Sequence, residues 1–308
     1  TSLSVAQAGD IYGPYDVTLK GYIGSKTNSV SYTGQTARHL LHNSLKKAAS
    51  SGSLKTMLPY FTGMEYMGSG KADLDILDPK SSEKFPVKPS SVNEVSSGKN
   101  LSGKTYKGII NGWPGQMTGP EVLEFMIRKA AKVKGGVDLN NGYNYPQLIS
   151  KFAMGAVFYN QAVDGYLDEK LSKPNDKPYK SGAYYTGKEH VWDEAFGYWG
   201  AAAHTLKLSA KESYDVTKKK NLKAADFNKD GVVDLKSEYT FAHAYYAASF
   251  DKGGKTNYLK TVTSAFIDGR ELIANANGRK LTASENTKLK NLAEVISTNW
   301  EKVIAEAV

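Results

Sequence analysis

The stretch TGKEHVWDEAFGYWG, Thr186 to Gly200, sets an imidazole and two carboxylates at helical spacing. On a helix at about 100° per residue, Asp193 and Glu194, three and four residues after His190, share its face. Trp192, Phe196 and Trp199 fall on the opposite side, which predicts a strongly amphipathic helix. Nitrogen and oxygen donors on one face suit iron or another first-row transition metal, as Glu-x-x-His pairs do in helical bundles. One helix does not close such a site. Asp164 and Asn160, four apart in FYNQAVDGYL, are candidate partners from a second helix, as are Glu65, His39 and His42. The same cluster supports a rival reading, a metal-dependent hydrolase with Glu194 or Asp193 as general base beside His190. A third is a buried structural polar cluster or a solvated His190–Glu194 pair. Gly197 and Gly200 bear on the choice. Each costs about 1 kcal/mol of helix propensity relative to Ala, which predicts that another helix or a ligand comes close there.

A second constellation lies in DFNKDGVVDLKSE. Asp226, Asn228 and Asp230 alternate, Gly231 provides a sharp turn, the Val232 carbonyl holds the seventh position and Asp234 the ninth. That order of oxygens matches a calcium loop. The twelfth position is Ser237, and Glu238 follows one residue late. The competing reading is an Asx-rich turn. The expected role of the ion is structural, fixing the entry to a helix that carries His243.

Other chemistry is excluded by residue type. The chain has no cysteine, which removes disulfides, thiolate metal sites and cysteine nucleophiles. It has no Gly-x-Ser-x-Gly elbow and no phosphate loop, and HVWDE lacks the second histidine of a zinc-protease helix.

The elements that must position these residues are mainly helical. SYTGQTARHLLHNSLKKAAS places Leu40, Leu41 and Leu45 on one side of a helix, with His39 and His42, following Arg38, either an anion or metal pair or simply a half-exposed face. MTGPEVLEFMIRKAAKVKGG has Thr118 as cap, Pro120 in the first turn and glycines at its end. YPQLISKFAMGAVFYNQAVDGYLDEKL continues as a long helix. Further helices are expected at 188–203, 236–250, 256–276 and 282–306. The fold class is thus mainly α, in antiparallel bundles. Residues 1–30 form an extended segment that is irregular or holds a short strand. Residues 31–308 form the helical domain, as one bundle or two packed together. Its polar, proline-containing excursion at about 68–112 is of the kind that is often functional or mobile.

The net charge of +9 comes almost entirely from lysine, since only Arg38, Arg128, Arg270 and Arg279 are arginines. Base readout and bidentate phosphate binding favour arginine, so the charge reads as a lysine coat and not as a nucleic-acid groove. No apolar run is long enough to span a bilayer. The opening residues read as a mature N-terminus, any export signal having been removed.

SYTGQTARHLL, YPQLISKFAMGAVFYNQAVDGYLDE and EHVWDEAFGYWG resemble the domain of unknown function 4856 family of secreted bacterial envelope proteins. The last stretch is also similar to the Gly-x-His-x-x-Glu signature of the imelysins, iron-regulated helical envelope proteins. In that resemblance His190 is the motif histidine and Asp193 the acid, unless Glu194 substitutes. Gly187 stands one residue before the motif glycine, whose place Lys188 takes. The resemblance implies an imelysin-like bundle at the periplasm or cell surface of a Gram-negative bacterium, lipid-anchored before trimming. It also implies a metal-binding protein engaged in iron acquisition or handling. The remaining alternative is a surface protein-interaction module, with the excursion and N-terminal segment contacting other envelope proteins.

Overall fold

The computed structural model describes residues 9–307, so the expectations for residues 1–8 and for Val308 fall outside it. The fold is mainly α. Local sequence explains where five of the helices begin. Ser53, Ser91, Thr118, Thr186 and Ser209 act as N-caps, the last four of them in capping boxes with a glutamate three residues on. The helices so started are α2 (Leu54–Thr62), α3 (Val92–Val95), α4 (Gly119–Ala130), α6 (Gly187–Trp199) and α7 (Ala210–Thr217). Around them lie α1 (Thr33–Ala49), α5 (Tyr145–Ala153), α8 (Leu222–Ala225), α9 (Ala242–Asp251), α10 (Tyr258–Asn275) and α11 (Ala283–Ala307).

The long helix expected from Tyr145 changes character part-way. After Ala153 it continues as a π-helical segment, Met154–Glu169, whose bonds run from residue i to i+5. π-Helix is rare, occurs mostly as single-turn bulges and is frequent at functional sites. Here the segment packs along α6, stacking Phe158 and Tyr166 against Tyr198.

One core joins residues from Tyr12 to Val303. α6 runs through it, touching α1, α10 and the π segment, while α10 lies along α11. Trp192, Trp199 and Trp300 are the largest side chains sealed inside. Burying a large apolar side chain contributes at least about 1.5–3 kcal/mol, so Trp192 and Trp199 fix α6 more firmly than its intrinsic propensity would.

Sheet is confined to two small ladders among the described residues. β1 (Val87–Lys88) pairs in parallel with β4 (Val233–Asp234), and β2 (Val137–Asp138) pairs antiparallel with β3 (Tyr143–Asn144). The first ladder ties the 68–112 excursion to the 226–238 loop. That excursion is irregular but anchored, because Phe85, Val92 and Leu101 are buried in the core. The N-terminal segment is likewise part of the core. Tyr12 lies flat on Phe196 with ring centroids 3.6 Å apart.

The helix expected at 236–250 starts later, at Ala242. The Glu238 carboxylate turns back to the loop before it, and Phe241 is extended with its amide donating to the Gly200 carbonyl. The backbone is therefore committed elsewhere until the helix begins.

Candidate functional site

α6 is buried on every side, so the expected separation into wet and apolar faces does not occur. Of residues 187–199 only Glu194 is partly exposed. The carboxylates that helical spacing groups with His190 go to different partners. Asp193 is sealed, accepting from Arg270 Nε at 2.8 Å, the Tyr12 hydroxyl at 2.7 Å and the Ser31 amide at 3.0 Å. Glu189, also sealed, accepts from Arg270 Nη1 at 3.5 Å, Thr18 at 3.0 Å and Ser29 at 3.3 Å. Arg270 lies over the Tyr15 ring at 4.6 Å, and its two carboxylates hold the guanidinium in its charged form. This network clamps the N-terminal segment onto α6 and α10. It is a buried ion cluster whose donors and acceptors are nearly all met, the condition under which such charge is tolerated.

Glu194 and His190 do come together. Their Oε2 and Nε2 atoms are 3.4 Å apart, and Gln35 donates to Glu194 Oε1 at 2.7 Å. Tyr185 stacks on the imidazole at 4.7 Å, and Tyr179 leans on it at 3.9 Å. Burial pushes the His190 pKa down against the opposing pull of Glu194 and Asp193, with Lys180 and Lys104 adding to the downward push. Its Nδ1 is buried with no hydrogen-bond partner among the described residues. Tyr166 of the π segment sits against Glu194, and burial and then that carboxylate push its hydroxyl pKa up.

Asp164 is exposed on the π segment, in the field of Asp168, Glu169 and Glu301, and does not join His190. Glu65 packs against Gly68 and Gly70, in the glycine-rich turn that follows α2. No three His, Asp or Glu side chains converge as a metal group among the described residues. His190 and Glu194 alone are too few donors for a first-row metal, so the constellation expected for iron is not assembled.

The close neighbour expected at Gly197 is a helix. A Cβ on Gly197 would lie 2.7 Å from Tyr32 Cβ and 2.8 Å from Gln35 Cβ, so α1 is the close neighbour. Gly200 ends α6 in the left-handed conformation at φ 84°, where glycine is favoured.

The 226–238 loop is closed on itself. Asp226 accepts from the amides of Asp230 at 3.0 Å and Gly231 at 2.8 Å. Asn228 Oδ1 accepts from the Asp230 amide at 2.9 Å, and Asp230 Oδ1 from the Val232 amide at 3.0 Å. Asp234 accepts from the Lys236 amide at 3.0 Å. Glu238, one residue late for the twelfth position, returns to the start of the loop. It accepts from the amides of Phe227 and Asn228, both at 3.1 Å, and of Asp234 at 2.7 Å. Lys88 of β1 pairs with Asp230.

Residues 137–305 match the family model described as Domain of unknown function (DUF4856). The chain belongs to that family. No curated protein and no solved structure matches it. The DUF4856 match takes in α6, the π segment and the 226–238 loop, and it leaves out α1 and the excursion, whose residues complete the surroundings of Glu194. Within the described residues of this DUF4856 protein no helix is long and apolar enough to cross a membrane.

The remaining histidines are buried. His39 and His42, expected on a half-exposed face, are buried because α1 is covered by α5, α6 and the excursion. His39 Nε2 bonds the Gly197 carbonyl at 2.9 Å, and His42 Nε2 the Ser150 carbonyl at 3.1 Å. Burial takes His39 down to about 3 and His42 to about 4. His204 lies beyond α6 and bonds the Ala224 carbonyl at 2.8 Å. His243 packs edge-on to Trp300.

Two site residues escaped the sequence reading. Arg270 lies 77 positions from Asp193, beyond any local spacing rule. Arg38 is buried beside Glu194's surroundings. A signal existed for both: where lysine supplies nearly all the surface charge, an arginine marks a position that needs its planar fork.

Proposed function

We propose that this protein is a calcium-binding helical protein of the bacterial cell envelope, with the ion held in the Asp226–Glu238 loop in a structural role. The observation that carries the reading is the return of Glu238 to the amides of Phe227 and Asn228. It sets the Glu238 carboxylate at the start of the loop despite the one-residue delay; the carboxylates do not converge as a metal group as they stand, and an ion would draw Asp226, Asn228, Asp230, the Val232 carbonyl and Asp234 in towards it. The donor set is all oxygen, as a hard cation requires. A carboxylate offers about four acceptor sites, so Asp226, Asp230, Asp234 and Glu238 keep capacity beyond the bonds they now accept. An ion there would lock the β1–β4 ladder and the approach to α9, holding the excursion against the bundle. An envelope compartment rich in calcium would fill even a weak loop.

Thermal unfolding in millimolar calcium and in chelator tests the reading. The wild type should melt higher in calcium, and Asp226→Ala should lose that increment. Equal melting temperatures for the wild type in the two buffers would sink it.

A further inference from the structure

A cavity of about 290 Å³ lies between α1, α5, the end of α7 and the start of α9, at the small end of the range for ligand sites. Lys46 of α1 lines it, half-buried and without a hydrogen bond or ion pair among the described residues. Burial pushes the Lys46 pKa down, Asp78 opposes that and Lys218 adds to it. Lys218 lines the same cavity, held there by donating to the Tyr245 hydroxyl at 2.8 Å. Asp78 is the one carboxylate in the lining, and Lys219 already pairs with it at 3.1 Å. α9 begins at the cavity with Phe241 and Ala242, and no side chain caps it, so that end of the helix favours negative charge. The lining is thus electropositive, and it holds no arginine, the residue whose planar fork matches phosphate. Its other polar groups are neutral. Asn43 and Gln147 bring planar amides, and the Gln147 side chain has no partner among the described residues. The rings of Tyr245 and Tyr246 add flat apolar surface. A second cavity, of about 410 Å³, shares Asn43, Lys46, Asp78 and Gln147 with the first and adds Lys47.

We infer that the cavity between α1, α5 and α9 binds an acidic sugar, with its carboxylate at Lys46 and Lys218 and its hydroxyls at Asn43 and Gln147. A sugar ring carries hydroxyls at its edge and C–H groups on its faces, which matches amides set beside aromatic rings. A neutral sugar leaves the two ammonium groups unbalanced, and a bare carboxylate leaves the amides unmatched. The second cavity takes a further acidic unit, with Lys47 as its counter-charge, so the ligand is a short acidic oligosaccharide. No residue of the 226–238 loop lines either cavity, so the site is independent of calcium.

Isothermal titration in chelator with D-galacturonate, its glycosidic dimer, D-galactose, acetate and inorganic phosphate tests this. The wild type should bind galacturonate about tenfold more tightly than galactose, acetate or phosphate, and the dimer more tightly still. Lys46→Gln should weaken galacturonate about tenfold, the worth of a hydrogen bond to a charged group. It should melt no lower than the wild type, because Lys46 has no partner to lose. Gln147→Ala, at an exposed position, should weaken galacturonate about threefold and leave acetate unchanged. Absence of galacturonate binding in the wild type, or unchanged binding by Lys46→Gln, overturns the site. Acetate or phosphate as tight as galacturonate overturns the sugar and leaves attraction of anions alone. Galactose as tight overturns the role of the lysines, and equal affinity for monomer and dimer removes the second cavity from the site.

Discussion

Arg270 Nε donates to Asp193 Oδ1 at 2.8 Å with both side chains sealed from solvent. A carboxylate that helical spacing assigns to a metal is therefore the counter-ion of a buried guanidinium. Asp193→Ala should cost about 3–5 kcal/mol, because it strands a charge inside the core. Urea unfolding measures it. A loss below about 1 kcal/mol would mean that the network is not closed as described.

Gly197→Ala pushes a methyl into Tyr32, which caps α1, and Gln35 within it. The expected loss is about 1–3 kcal/mol, the usual result of overpacking. Gly155→Ala, where a Cβ meets nothing within 4 Å, serves as the control and should not destabilise. The comparison needs only two melting curves beside that of the wild type.

His39 and His42 stay neutral in the folded protein down to about 3 and 4, whereas in the unfolded chain they protonate near the ordinary value of about 6.5. Below that value the unfolded chain takes up protons that the folded protein refuses. Stability is therefore full above it and falls with decreasing pH, by about 1.4 kcal/mol per pH unit for each ring. The melting temperature should drop between pH 7 and pH 4.5. His39→Gln should flatten the slope; an unchanged slope would remove this ring from the account.

Lys88 competes with any cation for Asp230. Lys88→Met should tighten calcium binding, read as a larger calcium-dependent rise in melting temperature than the wild type shows. A smaller rise would count against Asp230 as a ligand.

The sequence made the fold class legible because caps are local. Thr118, Pro120 and Glu121 announce α4 within four residues, and Thr186 with Glu189 does so for α6. α2 stayed hidden since Pro59 lies inside it. The site was legible only in part. His190 and Glu194 meet because they share a helix, which spacing can predict. Asp193 parts from them because its partner lies on α10, and no periodicity in α6 encodes that. The burial of the α1 histidines is illegible for a related reason: it depends on what covers the helix, and here the cover comes from other elements. Lys46 and Lys218 read as surface coat because only folding brings α1 and the end of α7 to one cavity.

The stack of Tyr12 on Phe196 and the clamp of Ser29 and Ser31 on the Arg270 network have a consequence for what counts as the autonomous folding unit. The family match spans 137–305, yet the helix at its centre is completed by residues from before Thr33 and by α1. A fragment trimmed to the matched span would present Phe196, Gly197, Asp193 and Arg270 to water. Such a fragment should aggregate or stay molten, and adding residues 9–136 back as a separate chain should restore a cooperative transition.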